Sequence, residues 1–194
     1  MSSALQPPPL MTVAEFLAWD APNGVRWQLV DGEAIAMAPP SRSHGAIQNE
    51  LGRLIGNHLA ARAMPCSVIT TPGIVPRVRA GENFRIPDLA VTCTGYQAEE
   101  YDVSDPVLIA EILSPSNQAE TWRNVWAFTT IPSLREILIL GSTAMRAELL
   151  RRDAEGTWPA MATVIETGDL PLDSIGLTVP LAALYRTTRL AAAG

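Results

Sequence analysis

With 194 residues, 47% of them apolar and 18% charged, the chain is long enough for one domain with a sizeable core and too apolar for general disorder. Its net charge of −6 speaks against broad electrostatic binding to nucleic acid, but leaves open a local cationic strip or a bound divalent metal that reverses the local field. All 14 basic residues are arginine, so no mechanism that needs a lysine nucleophile, base or phosphate-loop lysine operates within this chain.

Residues 1–10 hold a proline triplet without periodicity and read as a mobile arm. This segment has neither the basic stretch nor the apolar core of a signal peptide, and no apolar run approaches the roughly 20 residues of a membrane span. A soluble cytoplasmic protein is the expectation. Thr12 to Trp19 predicts a short helix, with Thr12 and Glu15 as a capping box and Met11 and Phe16 at the staple positions. Asp31-Gly32, set between alternating apolar residues in RWQLVDGEAIAM, predicts a β-hairpin. From about Ser43 to Ala63, Ile47, Leu51, Leu54, Ile55 and Leu59 recur at helical spacing.

The period then changes. CSVITT, IVPRVR, FRIPDLAVTC and PVLIAEIL are β-branched, separated by turn residues, and predict four strands. Cys66 and Cys93 are too few for a disulfide framework or a cysteine-built zinc site. Ser116-Asn117 and Glu120 suggest a helix start, with Trp122, Val125, Trp126 and Thr129 on one face and Pro132 as the stop. REILIL and RAELLRR predict two further strands around a Gly141-Ser142 turn, MATVIE suggests a last one, and the final LAAAG is expected to fray. The organisation is a mixed α/β single domain over residues 11–185, with a tail over 186–194. The low charge fraction and the Trp122/Trp126 face suggest a homodimer.

Two acids interrupt otherwise apolar strands: Asp88 in IPDLAV and Glu111 in VLIAEIL. A buried carboxylate needs an arginine, a hydrogen-bond network, protonation or a divalent cation. Two acids from adjacent strands make a hard oxygen set suited to Mg²⁺ or Mn²⁺. A structural pairing with Arg85 or Arg77 is the competing account, and the strand pattern leaves both open.

QLVDGE (28–33), the proline-rich loop ending in His44, RIPD (85–88) and AEILSPS (110–116) together resemble the Uma-two family of bacterial endonucleases, in the PD-(D/E)XK restriction-endonuclease-like superfamily. The resemblance covers Met11 to about Tyr185. It implies an α/β restriction-endonuclease-like mixed sheet flanked by helices, with the N-terminal helix and hairpin as an extension. It also implies a Mg²⁺- or Mn²⁺-dependent nuclease acting on DNA, with Asp88, Glu111 and the carbonyl of Ile112 as metal ligands. The superfamily's lysine position two residues after the glutamate is Leu113, the D-x-x-x-K positions of the following helix are Thr121 and Val125, and the first acid of the hairpin string is Gln28. Gln48, Arg123 and Asn124 remain as polar groups that orient water or stabilise charge. His44 fits either a role facing a phosphate or the metal site or a helix cap beside Ser41 and Ser43, and Glu33 and Glu50 either join the acidic site or sit in solvent. A catalytically decayed member kept as a binding or assembly module is the alternative to an active nuclease.

Overall fold

The computed structural model describes residues 10–115 and 117–192; the arm expected before Leu10, Ser116 of the expected helix cap and the last two residues of the chain lie outside them. Helix α1 (Val13–Ala18) begins as the sequence predicts. The Thr12 hydroxyl accepts the Glu15 N–H, and the Glu15 carboxylate accepts the Thr12 N–H at 2.7 Å. Strands β1 (Arg26–Val30) and β2 (Glu33–Met37) pair antiparallel across Asp31-Gly32. Both turn residues have positive φ, 52° and 88°, the backbone that a tight two-residue hairpin demands. The hairpin docks through Leu29, whose N–H and C=O both bond Phe84 (2.8 and 3.0 Å), and Met11, Leu29 and Phe84 form a small core.

Helix α2 (Arg42–Ala61) buries Ile47, Leu51, Ile55 and Leu59 against one face of a six-stranded sheet. The sheet order is β3 (Ser67–Thr70), β4 (Leu89–Thr92), β5 (Pro106–Leu113), β6 (Glu136–Gly141), β7 (Ala147–Arg151), β8 (Thr163–Ile165). Only β5 and β6 run parallel, and their crossover carries helix α3 (Gln118–Phe128) onto the opposite face. Alternation along β5 therefore turns Leu108, Ala110 and Ile112 toward the α2 layer, while Ile109 faces the α3 layer. Beside α2, on the same face of the sheet, lie β9 (Asp169–Leu172), β10 (Leu177–Pro180) and α4 (Leu181–Tyr185), which complete the larger core cluster. No helix among the described residues is long and apolar enough to cross a membrane.

Several expectations are corrected. IVPRVR is not a strand. Ile74 makes a single bridge with Arg85, Pro76 has no N–H to give a ladder, and Arg79 turns the chain at φ 45° into a short 3₁₀ turn at Ala80–Glu82. Of FRIPDLAVTC only Leu89–Thr92 is ladder. The buried face of α3 is Thr121, Asn124, Val125, Ala127 and Phe128, while Trp126 is half exposed and Trp122 packs beside it. Cys66 and Cys93 are joined in a disulfide, because the Ser67–Thr92 pairing sets residues 66 and 93 opposite each other at the end of the β3–β4 ladder.

Gly73 marks the tightest backbone approach beside this sheet. A Cβ there falls 2.0 Å from the Phe84 ring and 2.6 Å from the Tyr101 carbonyl oxygen. Neither a packed ring nor a backbone oxygen yields cheaply, so Gly73→Ala is expected to cost about 2 kcal/mol in urea unfolding, the scale of overpacking a core.

Candidate active site

The two acids singled out in the sequence meet where β4 begins. Leu89 is the first residue of β4 and pairs with Ala110, so Asp88 stands just outside the ladder, next to Glu111. There the Asp88 carboxylate does what a strand would otherwise do: its Oδ2 accepts the Ile112 N–H at 2.7 Å. Its Oδ1 lies 2.7 Å from His44 Nε2. The Asp88 carbonyl accepts from Gln48 Nε2 (2.7 Å) and from the Thr71 N–H (2.9 Å). Asp88 is thus held by Thr71 just past β3, by β5 and by the first two turns of α2.

His44 is not itself the cap of α2. Its backbone N–H donates to the Ser41 hydroxyl at 3.2 Å, which caps α2, while its largely buried ring reaches Asp88. Gln48, one turn on, faces the same aspartate. The sequence resemblance enlists the Ile112 carbonyl; the structure brings the Ile112 N–H to Asp88.

Glu111 is 6% exposed and its Oε1 accepts from Asn124 Nδ2 of α3 at 3.4 Å. Burial first, and the Asp88 carboxylate second, push the Glu111 carboxyl well above the ordinary carboxylate range. The Asn124 amide and the Asp88 backbone N–H act in the opposite direction, and Glu120 adds a weaker upward push. No arginine salt bridge to Asp88 or Glu111 occurs among the described residues, so the Arg77 and Arg85 pairings weighed from the sequence are not formed.

The remaining candidates are dispersed. Glu50 is buried, and its carboxylate is taken by Arg186 (Nε and Nη2, both 2.8 Å) and Arg53 (3.0 and 2.8 Å), which hold it below the usual carboxylate range in that order. It locks α4 to α2. Glu33 and Arg123 are exposed, at the first position of β2 and on the outer side of α3. Thr121 and Val125, the positions of the family's helix lysine motif, are 3% and 0% exposed.

Two features escaped the sequence reading. Gln28, at the position of the hairpin's missing acid, is buried; its side-chain N–H donates to Glu120 and its Oε1 accepts the Ile86 N–H at 3.4 Å. Arg85 is 4% exposed, and among the described residues its guanidinium is held by amides: Nε and Nη2 on Asn83 Oδ1 (3.0 and 2.7 Å), Nη1 on Asn124 Oδ1 (2.8 Å). A buried, charged arginine three residues before Asp88 was the available signal; its amide partners are 2 and 39 residues away in sequence.

A divalent cation fits this donor set. The site sets two carboxylates, hard oxygen ligands, at adjacent strands, one of them buried beside a like charge and held, among the described residues, by amide and backbone donors. Among the described residues no three His, Cys, Asp or Glu side chains converge as a metal cage.

A mixed sheet with helices on both faces and an aspartate–glutamate pair at adjoining strand ends defines a restriction-endonuclease-like domain. Residues 13–182 match the Uma2 family, described as "Putative restriction endonuclease", and the chain belongs to that family. It is 27% identical over 182 residues to the uncharacterized protein slr1290 of Synechocystis, covering 93% of this chain and 94% of that one. It is 25% identical over 153 residues to a second uncharacterized Synechocystis protein, sll1609, covering 77% and 85%. In fold it is similar to the crystal structure of "a putative nuclease belonging to DUF820" from Anabaena variabilis, with a TM-score of 0.72 and 17% identity over 91% of this chain and 98% of the other.

Proposed function

We propose that this protein is a Mg²⁺- or Mn²⁺-dependent endonuclease that hydrolyses phosphodiester bonds of DNA, with Asp88, Glu111 and the Ile112 carbonyl as the protein's share of the metal ligands. The observation that carries this reading is Glu111: a buried carboxylate beside a second carboxylate, without a cationic partner in contact among the described residues, is costly in its charged form unless a cation completes it. When bound, the metal supplies an acidified water and neutralises charge developing on the scissile phosphate. His44 and the Ile112 N–H orient Asp88, and Asn124 orients Glu111.

The test is cleavage of supercoiled plasmid and short duplex DNA by purified protein with Mn²⁺, with Mg²⁺ and with EDTA. Metal-dependent cleavage is expected, falling to the EDTA level in Asp88→Ala. Cleavage unchanged in Asp88→Ala overturns the assignment. A second reading, a decayed nuclease fold kept as a binding or assembly module, draws on the uncharged, buried Thr121 and Val125 where the family carries its helix lysine motif. Wild type that neither binds Mn²⁺ nor cleaves DNA selects it.

A further inference from the structure

We propose that Arg85 is the positioning residue for Glu111, acting through Asn124. The inference rests on the metal-site reading above and concerns how a chain without lysine keeps a second carboxylate ready for a cation.

The argument starts from donor and acceptor inventories. A guanidinium only donates, so whatever it touches must present an acceptor. Arg85 Nη1 touches Asn124 Oδ1 at 2.8 Å, and this contact fixes the Asn124 amide in one orientation, with Oδ1 toward Arg85 and Nδ2 toward Glu111 Oε1. The reverse orientation sets the amide NH₂ against the guanidinium and Oδ1 against a carboxylate, a donor on a donor and an acceptor on an acceptor. Glu111 therefore always meets an N–H donor, the partner a carboxylate wants.

Arg85 is itself prevented from moving off. Its other edge is held by Asn83 Oδ1, and Asn83 is 0% exposed, with its Nδ2 on Asp31 Oδ1 (3.1 Å), the Val78 carbonyl (3.3 Å) and the Arg79 carbonyl (3.2 Å). The chain Asp31–Asn83–Arg85–Asn124–Glu111 alternates charge and amide, with acids at both ends and the one cation at its centre. Each amide is polarised by the arginine, which strengthens the N–H it offers to the acid. Contact through an amide also explains why the arginine does not compete with a metal: a direct Arg85–Glu111 salt bridge takes up the carboxylate, whereas the relayed one orients it.

The experiment is a double-mutant cycle on Mn²⁺ affinity, measured by calorimetry without DNA, together with the Asn124 side-chain amide signals in ¹H–¹⁵N spectra of the metal-free protein. In wild type, the Asn124 NH₂ pair is expected to be shifted and slow to exchange. Arg85→Met is expected to collapse these signals toward free-amide values and weaken Mn²⁺ binding about tenfold, while in the Asn124→Ala background the same substitution changes affinity less than about twofold, the non-additivity of residues that act as one unit. Where Arg85→Met does not fold, Arg85→Lys, with charge but no fork, runs the same cycle at about threefold. Equal losses in both backgrounds, no loss in either, or Asn124 signals unchanged by the substitution overturn the proposal. Wild type that binds no Mn²⁺ but keeps Arg85-dependent Asn124 signals sinks the metal reading and shows the relay to be structural only, so the two failures are told apart.

Discussion

Glu111→Gln is expected to make the metal-free protein more stable while abolishing metal-dependent cleavage by a thousandfold or more, the scale of losing a ligand to a catalytic ion. The stability gain follows from the direction in which the site moves the Glu111 carboxyl. Burial and Asp88 raise its folded-state pKa above the unfolded value. The favourable contribution of the neutral carboxyl is therefore fully present below the unfolded carboxylate range, about pH 4, and is lost as pH rises through the folded value. Glutamine keeps the shape and the neutral charge at every pH. The two proteins are thus expected to melt alike near pH 4 in EDTA, with the variant ahead by about 1–2 kcal/mol at pH 8, within the usual gain from relieving a functional site. Mn²⁺ narrows the gap by stabilising only the wild type, because a ligand raises stability in proportion to its occupancy of the folded state. A variant that melts below wild type at pH 8 in EDTA shows that Glu111 is held by stronger partners than Asn124 and the Asp88 N–H.

What the sequence disclosed of this site was the anomaly, not its wiring. A carboxylate in PVLIAEIL is visible because burial makes it expensive, and period-two alternation does not account for it. The capping box of α1, the Asp31-Gly32 hairpin and the apolar stripe of α2 were legible for the same reason: each is a local pattern whose partners lie within a few residues. Gln28 with Glu120 and Arg85 with Asn124 are 92 and 39 residues apart, and no local rule pairs them. The α3 face was misassigned because tryptophan outweighs asparagine on any hydrophobic scale. Thr121 and Asn124 face inward with Val125 and Phe128, and it is Asn124 that reaches the carboxylate site. IVPRVR has strand composition, yet Pro76 and the left-handed Arg79 turn it away from the sheet. β9, β10 and α4 went unread although Leu170, Leu172, Leu177, Val179 and Leu181 are all buried, since each element is only four or five residues long.

That overlooked C-terminal segment carries the largest expected loss of stability. Tyr185, at the end of the five-residue α4, is 0% exposed and has the bulkiest of the fully buried side chains. Its hydroxyl lies 3.0 Å from both the Gly141 and the Arg146 carbonyl oxygens and accepts the Arg146 N–H at 3.3 Å, clamping the β6–β7 turn. Burial pushes its pKa up to about 12, so the hydroxyl stays a donor throughout the working pH range. Tyr185→Phe keeps the ring and leaves these backbone groups short of a partner, at an expected cost of about 1–2 kcal/mol. Tyr185→Ala adds a cavity among Leu181, Leu184 and the α2 layer, for about 3–5 kcal/mol, roughly a fifth or more of what a domain typically has. The larger loss has a second source. Arg186 follows Tyr185 directly, and a displaced α4 takes it from Glu50, whose buried carboxylate then keeps Arg53 alone. Arg186→Ala tests that part separately. If the Tyr185→Ala deficit in urea unfolding shrinks when Arg186→Ala is already present, the two share the Glu50 anchor. If the deficits simply add, the ring fills its cavity without holding the ion pair.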